Sequence, residues 1–172
     1  MNLEYFSERL ASNVQVFEAL LRNVDPQQAA WKPAANKWSI IEVVNHLCDE
    51  EREDFRTRLQ LTLTDPEKDW PPIDPPAWVI ERKYSERELG PSLDDFIAER
   101  EESLAWLRSL REPRWEASHV TTNGSRTAGD LLASWLAHDY LHIRQLTRLS
   151  WQYASVIAAP HQTAYAGPWN ES

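Results

Sequence analysis

The sequence has little of what secreted or all-β proteins need. It holds one cysteine, Cys48, and only four glycines among 172 residues. A single thiol cannot form an internal disulfide, so nothing points to an oxidising compartment. Scarce glycine, with proline bunched between long periodic segments, argues against the evenly spaced turns of an all-β protein. We therefore expect long helices joined by a few proline-containing connections.

Basic charge and long apolar runs are also scarce. The 18 basic and 27 acidic side chains give a formal charge of −9. This balance disfavours a nucleic-acid partner, because binding to phosphate backbones needs clustered Lys and Arg. The N-terminus lacks the basic and apolar regions of a secretory signal, and no run of about 20 apolar residues could span a bilayer. We therefore predict a cytoplasmic protein with no membrane partner, folded as one domain over residues 1–172.

Four segments carry the three- and four-residue apolar spacing of amphipathic helices. The predicted helices start at Leu3, Ser39, Leu93 and Thr127, and they stop at Asp25-Pro26, near Leu61, before Pro113 and beyond Leu149, respectively. The second and fourth starts have capping-box form, in which a Ser or Thr oxygen and an acidic residue three positions later satisfy free backbone N–H groups. Four such helices with no series of strands indicate an all-α four-helix bundle.

The connection between helices two and three, Thr64 to Pro91, is rich in proline and also carries Trp70 and Trp78. Proline cannot donate a backbone hydrogen bond, so we predict a long ordered loop anchored by its aromatic rings. Loops of this length are uncommon in compact domains and often cover a functional site. A shorter extended segment, 115–125, is predicted to turn at Asn123-Gly124.

Two of the five histidines, His138 and His142, lie one turn apart near the middle of the apolar stripe of helix four. An unpartnered buried imidazole destabilises a protein by about 1–3 kcal/mol, so two of them need an explanation. Such a pair presents two ring nitrogens to one point, which suits a divalent metal ion. Two core histidines satisfied by backbone or carboxylate neighbours are an equally good explanation of the pair alone.

His46 favours the metal, because it lies on the flank of the apolar face of helix two and can supply a third nitrogen. Three protein ligands leave one coordination position open, as in catalytic zinc sites. An ion held by neutral imidazoles makes a bound water or thiol more acidic. Glu50, one turn after His46, and Asp139, beside His138, are the candidate catalytic residues, as a general base or as a hydrogen-bond acceptor for the ligands. The bland alternatives are a solvated charge run for Glu50 and an interhelical pair for Asp139.

We predict no catalytic role for the other histidines and the cysteine, and the known catalytic motifs are absent or incomplete. We expect His119 and His161 to be surface histidines and Cys48 to be a small buried hydrophobe. The sequence His138-Asp139-Tyr140-Leu141-His142 imitates the HExxH motif of metalloproteases, but an aspartate replaces its glutamate. A di-iron bundle needs two Glu-x-x-His motifs and two further glutamates, and the chain does not have that set; it also has no P-loop, GxGxxG or GxSxG sequence.

Two segments around these histidines resemble a known family. The segment 37–47 contains Trp38, Ser39 and His46, and the segment 136–146 contains the pattern HDxxHxxQ that ends at Gln145. Together they resemble the DinB-like superfamily. The resemblance implies an up-up-down-down four-helix bundle with His46, His138 and His142 as metal ligands. Dimers are frequent in this superfamily, so the resemblance also implies a dimer. Members of the superfamily include metal-dependent thiol transferases and isomerases that use glutathione, mycothiol or bacillithiol.

The leading functional hypothesis is a metalloenzyme that activates a low-molecular-weight thiol for attack on a small electrophile. The alternatives are a metal-dependent hydrolase and a non-catalytic metal-binding stress-response module. Zinc or nickel is the expected ion, with iron or manganese as alternatives, because imidazole accepts each of them. The uncharged tail, Leu149 to Asn170, should cover apolar surface of its own subunit or of a second one, so we predict a homodimer.

Overall fold

The computed structural model describes residues 1–122 and 124–169 and is dominated by helices. In chain order the helices are α1 (Leu3–Leu21), α2 (Pro26–Ala30), α3 (Ile40–Asp49), α4 (Thr57–Thr64), α5 (Pro75–Glu81), α6 (Leu89–Ser109) and α7 (Ala128–Ile157). A π-helical segment, Glu50–Arg56, joins α3 to α4, so that the two form one long helical unit. Short 3₁₀ turns lie at Tyr84–Glu86 and Ala164–Ala166, and a hairpin of β1 (Ser118–Thr121) and β2 (Gly124–Thr127) precedes α7. The four long units form the all-α bundle that the sequence predicts.

The predicted caps decide where the two site-bearing helices begin. The Ser39 hydroxyl accepts a hydrogen bond from the backbone of Glu42, and the Glu42 carboxylate accepts one from the Ser39 N–H, which closes the capping box of α3. Thr127 and Asp130 form the same arrangement at the start of α7. Each box satisfies backbone donors that the first helical turn leaves free. Both predicted capping boxes are confirmed.

Two apolar clusters mark the ends of the bundle and give the direction of each helix. One cluster includes Phe17, Leu47, Phe96 and Leu146, and the other includes Leu10, Leu59, Leu107 and Leu132. Along the chain, α1 and α7 pass from the second cluster to the first, whereas α3–α4 and α6 pass from the first to the second. The directions are therefore up, down, down, up, which differs from the expected up-up-down-down order.

The connection lengths explain this order. Helices α3–α4 and α6 are parallel neighbours: Asn45 donates to Ser92 at 3.0 Å, and Arg56 donates to Ser103 at 3.2 Å. Parallel neighbours need a connection that returns along the bundle, and the proline-rich segment between α4 and α6 provides it. Helices α1 and α3 meet at the same end, so the chain between them needs no such return.

The segment Thr64 to Pro91 is more regular than the predicted loop. It contains α5, which starts with Pro75 and is capped by Asp74, while Pro91 lies in the first turn of α6. Proline is compatible with a first helical turn because the N–H it lacks would have no helical partner there. Trp78 is buried with Val79 and Tyr84, so the predicted aromatic anchoring is found.

The extended excursion before α7 is present as an antiparallel pair in which His119 faces Arg126. Of its predicted turn, Asn123 lies outside the described residues, and Gly124 has a positive φ of 107° that favours glycine. Among the helices of the described ranges, none has the length and apolarity that crossing a bilayer requires.

Candidate metal centre

The fold brings His46, His138 and His142 to one point inside the bundle. One ring nitrogen from each lies within 4.8 Å of those of the other two. The Nε2 atoms of His138 and His142 are 3.0 Å apart. A tetrahedral ion with metal–nitrogen distances of about 2.0–2.1 Å needs ligand nitrogens about 3.3–3.4 Å apart, so small side-chain rotations would bring the three into range.

Burial keeps the three imidazoles neutral. It lowers the pKa of His46 to about 3, with a further contribution from His142. It lowers the pKa of His138 to about 2, with contributions from the other two rings and from Arg100. The pKa of His142 is also lowered by burial. Neutral rings have the nitrogen lone pairs that a metal ligand must offer.

A neighbouring side chain restricts the orientation of each of these three rings. The Nδ1 of His142 lies 2.8 Å from Gln145 Oε1. An amide oxygen only accepts, so Nδ1 carries the proton and Nε2 is left with a lone pair directed at the cluster. On the other side the Trp38 ring packs against His46, with centroids 4.9 Å apart. Phe55 packs against His138 at 5.0 Å and limits its rotation.

Two buried polar atoms at the centre lack hydrogen-bond partners within the described part of the chain. They are Nδ1 of His46 and Oε1 of Glu50, and the distance between them is 3.9 Å. Buried polar atoms are normally satisfied, so an orphaned pair needs an explanation such as an ion or a substrate. Three neutral ring nitrogens with an unpartnered carboxyl oxygen beside them are a donor set that fits a divalent ion.

Glu50 reaches this position because the helix changes its winding there. It is the first residue of the π-helical segment that follows α3, and it is only 5% exposed. Burial, together with Asp54, raises the pKa of the Glu50 carboxyl to about 8. The alternative to a catalytic role, that Glu50 belongs to a solvated run of charges from Asp49 to Asp54, does not hold for the first half of the run, since Asp49 and Glu51 are also buried. A π-helical turn places consecutive residues inward in a way that the 3.6-residue period does not, and such turns are frequent at functional sites.

Asp139, the other catalytic candidate, lies in a different set of contacts. It is fully buried, and Arg100 donates to both of its carboxylate oxygens at 2.8 Å. Asn13 donates to the same carboxylate at 2.9 Å. The interhelical ion pair, which the sequence analysis gave as the alternative to a catalytic role for Asp139, is therefore present. Its charge still raises the pKa of His142, against the larger effect of burial.

Arg100 and Glu51, which complete this set, were missed by the sequence analysis. Arg100 also donates to Glu51 through Nε at 2.7 Å and Nη2 at 2.9 Å. Trp135 Nε1 donates to Glu51 at 2.8 Å. We call Asn13, Glu51, Arg100, Trp135 and Asp139 the arginine network. The only sequence signal was an arginine on the apolar side of helix three, where the spacing called for a hydrophobic residue.

The remaining candidates lie elsewhere. His119 is buried, which corrects its expected surface position: its Nδ1 lies 2.8 Å from the Pro66 carbonyl and its ring stacks on Trp70. His161 is exposed, as expected. Cys48 is buried in the core, and burial raises its thiol pKa to about 12, so it is the inert hydrophobe that the sequence predicts.

Comparison with known families and structures agrees with this architecture. The sequence model of the DinB superfamily matches residues 9–146, which is most of the chain. The chain belongs to the DinB superfamily. No curated protein matches the chain in a sequence comparison.

The fold of this DinB-superfamily chain is similar to those of solved structures, two of which are described here. YfiT from Bacillus subtilis, described as a probable metal-dependent hydrolase with an unusual four-helix bundle topology, superposes with a TM-score of 0.78 and 19% identity over 88% of this chain and 87% of that one. A mutant of the mycothiol-dependent maleylpyruvate isomerase superposes with a TM-score of 0.67 and 15% identity over 85% of this chain. The match spans only 61% of the isomerase chain. At these identities the likeness establishes the fold.

Proposed function

We propose that this chain is a metal-dependent enzyme that acts on a small molecule, with His46, His138 and His142 as the metal ligands. The observation that carries the proposal is the cluster of three neutral imidazoles, together with two unpartnered buried polar atoms, Nδ1 of His46 and Oε1 of Glu50. When bound, a divalent ion there supplies Lewis-acid chemistry and makes a coordinated thiol or water more acidic. Zinc or nickel is the first choice of ion, and iron or manganese is the alternative.

Glu50 is the proposed proton acceptor of the site. Its unpartnered Oε1 lies 3.9 Å from His46 Nδ1, and a carboxylate in that place can take a proton from a nucleophile beside the histidines. Asp139 is less suited to this role, because Arg100 and Asn13 already occupy its oxygens. We propose that Asp139 acts on the site through its charge and through the position it gives to α7.

The proposed nucleophile is a low-molecular-weight thiol, which would act on a small electrophile. Cys48 is buried and its pKa is raised, so the thiol would come from a cosubstrate. The similarity to a mycothiol-dependent isomerase supports this choice. Water is the alternative nucleophile, supported by the similarity to YfiT, a probable metal-dependent hydrolase, and by the carboxylate of Glu50 beside the histidines.

The first test is elemental analysis of protein purified without chelator and without a nickel column. We expect about one equivalent of a divalent transition metal per chain, and we expect His138→Ala to lose it. His161→Ala is the matched control, because that histidine is exposed and lies outside the site. Absence of metal from the wild-type protein, together with no uptake of added zinc or nickel, would overturn the proposal.

The second test separates thiol transfer from hydrolysis. Metal-loaded protein is assayed with 1-chloro-2,4-dinitrobenzene, with and without glutathione, and with p-nitrophenyl acetate. Conjugation that needs both the metal and the thiol supports the transferase. Metal-dependent ester hydrolysis without thiol supports the hydrolase, and loss of the observed activity in Glu50→Gln assigns the proton acceptor.

We also propose that the chain works as a cytoplasmic homodimer. Val156, Ile157 and Tyr165, in or after the last turns of α7, are largely exposed, and apolar side chains of this kind favour contact with a second subunit. Of the tail considered in the sequence analysis, Asn170 lies outside the described residues. Light scattering across micromolar concentrations is the test, and a monomer at every concentration would refute the dimer.

A further inference from the structure

The proline-rich connection between α4 and α6 reaches the surroundings of the histidine site at two places. Its buried apolar cluster packs against Trp38, and the Trp38 ring lies on His46. Arg82, directly after α5, contacts Asp49 and Glu53. Connections of this length often serve a functional site, so these contacts need an explanation.

Arg82 bridges two acidic residues that lie one position before and three positions after Glu50. Its Nη1 is 2.7 Å from Asp49 Oδ2. Its Nη1 and Nη2 donate to the two carboxylate oxygens of Glu53 at 2.7 Å and 2.9 Å, and bidentate pairs of this kind are among the strongest. Hydrogen bonds from Arg82 lower the pKa of the Glu53 carboxyl, so that carboxyl is ionised at neutral pH. Arg82 therefore ties the end of α3 to the π-helical segment.

Neighbouring side chains hold the Arg82 guanidinium in place. It lies over the Trp78 ring, 4.0 Å from the centroid, where a cation is attracted to the ring face. The backbone carbonyl of Arg82 accepts a hydrogen bond from Arg87 at 3.2 Å. Tyr84, which is fully buried, donates to Asp49 Oδ2, the same oxygen that faces Arg82. The connection thus presents Arg82 in a fixed position.

The π-helical segment depends on side-chain contacts of this kind, because π-helical turns are rare and occur mostly as short insertions within α-helices. Ion pairs hold five of its charged side chains, namely Glu51, Arg52, Glu53, Asp54 and Arg56. Partners from the bundle lie in α4 and α6, whereas Arg82 belongs to the proline-rich connection. Arg82 therefore couples the connection to the turn that carries Glu50.

We propose that Arg82 is a positioning residue for the histidine site. By joining Asp49 to Glu53, Arg82 holds the π-helical turn. This turn sets the position of Glu50 beside His46. The inference rests on the proposed function, because it concerns the carboxyl group that we propose as the proton acceptor. It gives the proline-rich connection the role of stabilising the geometry of the site.

Hydrogen–deuterium exchange tests how firmly the π-helical segment is held, and it needs neither metal nor substrate. In Arg82→Ala we expect the backbone amides of residues 50–56 to exchange about fivefold faster than in the wild-type protein, because Asp49 and Glu53 lose their shared partner. Arg22→Ala is the matched control, since Arg22 also pairs with two carboxylates but both lie outside this region. Equal exchange of residues 50–56 in the two variants would overturn the proposal.

Chemical rescue separates positioning from a general loss of structure. Arg82 and Asp49 line a cavity of about 320 Å³, so a small cation can reach the place of the missing side chain in Arg82→Ala. Millimolar ethylguanidinium should return the exchange of residues 50–56 toward the wild-type rate, whereas sodium chloride at the same ionic strength should not. Arg82→Met, whose side chain fills this place without a charge, should not be rescued. Faster exchange that ethylguanidinium fails to reverse in Arg82→Ala would overturn the proposal.

The activity of the metal-loaded protein connects this turn to the reaction. Arg82→Ala should lower kcat about tenfold with KM unchanged, because the proton acceptor is displaced while substrate binding is kept. Ethylguanidinium should restore kcat, and Arg22→Ala should change neither constant. An equal loss in both arginine variants would overturn the positioning role.

These outcomes remain separate from those of the proposed function. Wild-type protein that takes up no metal would refute the metalloenzyme alone, and the exchange experiment would still decide whether Arg82 holds the turn. Metal-loaded, active protein whose exchange and kcat do not change in Arg82→Ala would refute the role of Arg82 alone.

Discussion

Two buried polar groups lie next to each other in the bundle, and they differ in how well their atoms are satisfied. In the arginine network every charged side chain has partners: Arg100 donates to both Glu51 and Asp139, and Trp135 and Asn13 complete the set. In the histidine site, His46 Nδ1 and Glu50 Oε1 have none among the described residues. The boundary between the two groups falls between the adjacent residues Glu50 and Glu51.

This difference indicates that the arginine network stabilises the fold and that the histidine site binds a ligand. A satisfied buried network fixes the elements that carry it, and removing one member leaves the others charged and unpaired. Unsatisfied buried atoms destabilise the protein unless a ligand completes them. The arginine network therefore fixes α6, α7 and the π-helical segment in place, and the histidine site is left ready to bind.

The largest expected effect is the loss of the arginine network. Arg100→Met should lower the free energy of unfolding by about 3–5 kcal/mol, because it leaves the buried carboxylates of Glu51 and Asp139 without a counter-charge. Denaturant unfolding measures the change. Arg108→Met, at an exposed position on the same helix, is the control and should change stability by less than about 0.5 kcal/mol.

Adding Glu51→Gln and Asp139→Asn to Arg100→Met should recover part of the loss, since neutral amides are less costly to bury than charges. If Arg100→Met and Arg108→Met were equally stable, the arginine network would not be needed to hold the fold.

A metal should act on the histidine site and leave the arginine network unchanged. Free zinc at 100 times its dissociation constant should raise the free energy of unfolding of the wild-type protein by about 2.7 kcal/mol. His138→Ala should lose this gain, and His161→Ala should keep it. Melting curves with and without zinc measure the effect. Equal stabilisation of both variants would mean that zinc binds outside the histidine cluster.

The adjacent glutamates give the sharpest test, because the same substitution is made on both sides of the boundary. Glu51→Gln should lower the free energy of unfolding by about 2–3 kcal/mol, since it weakens charge-assisted bonds from Arg100. Glu50→Gln should change it by less than about 1 kcal/mol, because Oε1 has no bond to lose and the amide of glutamine can still donate to Asp54. Parallel denaturant titrations compare the two variants. Equal losses of unfolding free energy would show that the two glutamates do not differ in how they stabilise the fold.

The smallest effect concerns Cys48, which lies between His46 and Glu50 in sequence but packs with the apolar cluster. Burial and a raised pKa should make its thiol react with Ellman's reagent far more slowly in the native protein than in the unfolded chain. Rapid stoichiometric labelling of the native protein would contradict the burial of this thiol.

Much of the architecture could be predicted because its signals are local. The apolar spacing and the two capping boxes mark the long helices, and His138 and His142 share a face because four residues are close to one helical turn. Helix direction could not be predicted in this way. It depends on which helices become neighbours, and the pairing of α3–α4 with α6 is a property of the packed bundle.

The same limit applies to the carboxylates. The residue spacing of an α-helix cannot show that Glu50 and Glu51 both point inward, because that follows from the π-helical turn. Nor could it show that Arg100, 49 positions after Glu51, reaches it and Asp139 together. These contacts exist only once three helices have packed.

The sequence by itself determined the four helices, two of their caps and the paired histidines of α7, because each follows from neighbours within a few turns of the chain. Only the tertiary structure decided which buried groups are satisfied and which are left open. That outcome depends on long-range packing, which pairs Asp139 with Arg100 and places Glu50 beside His46.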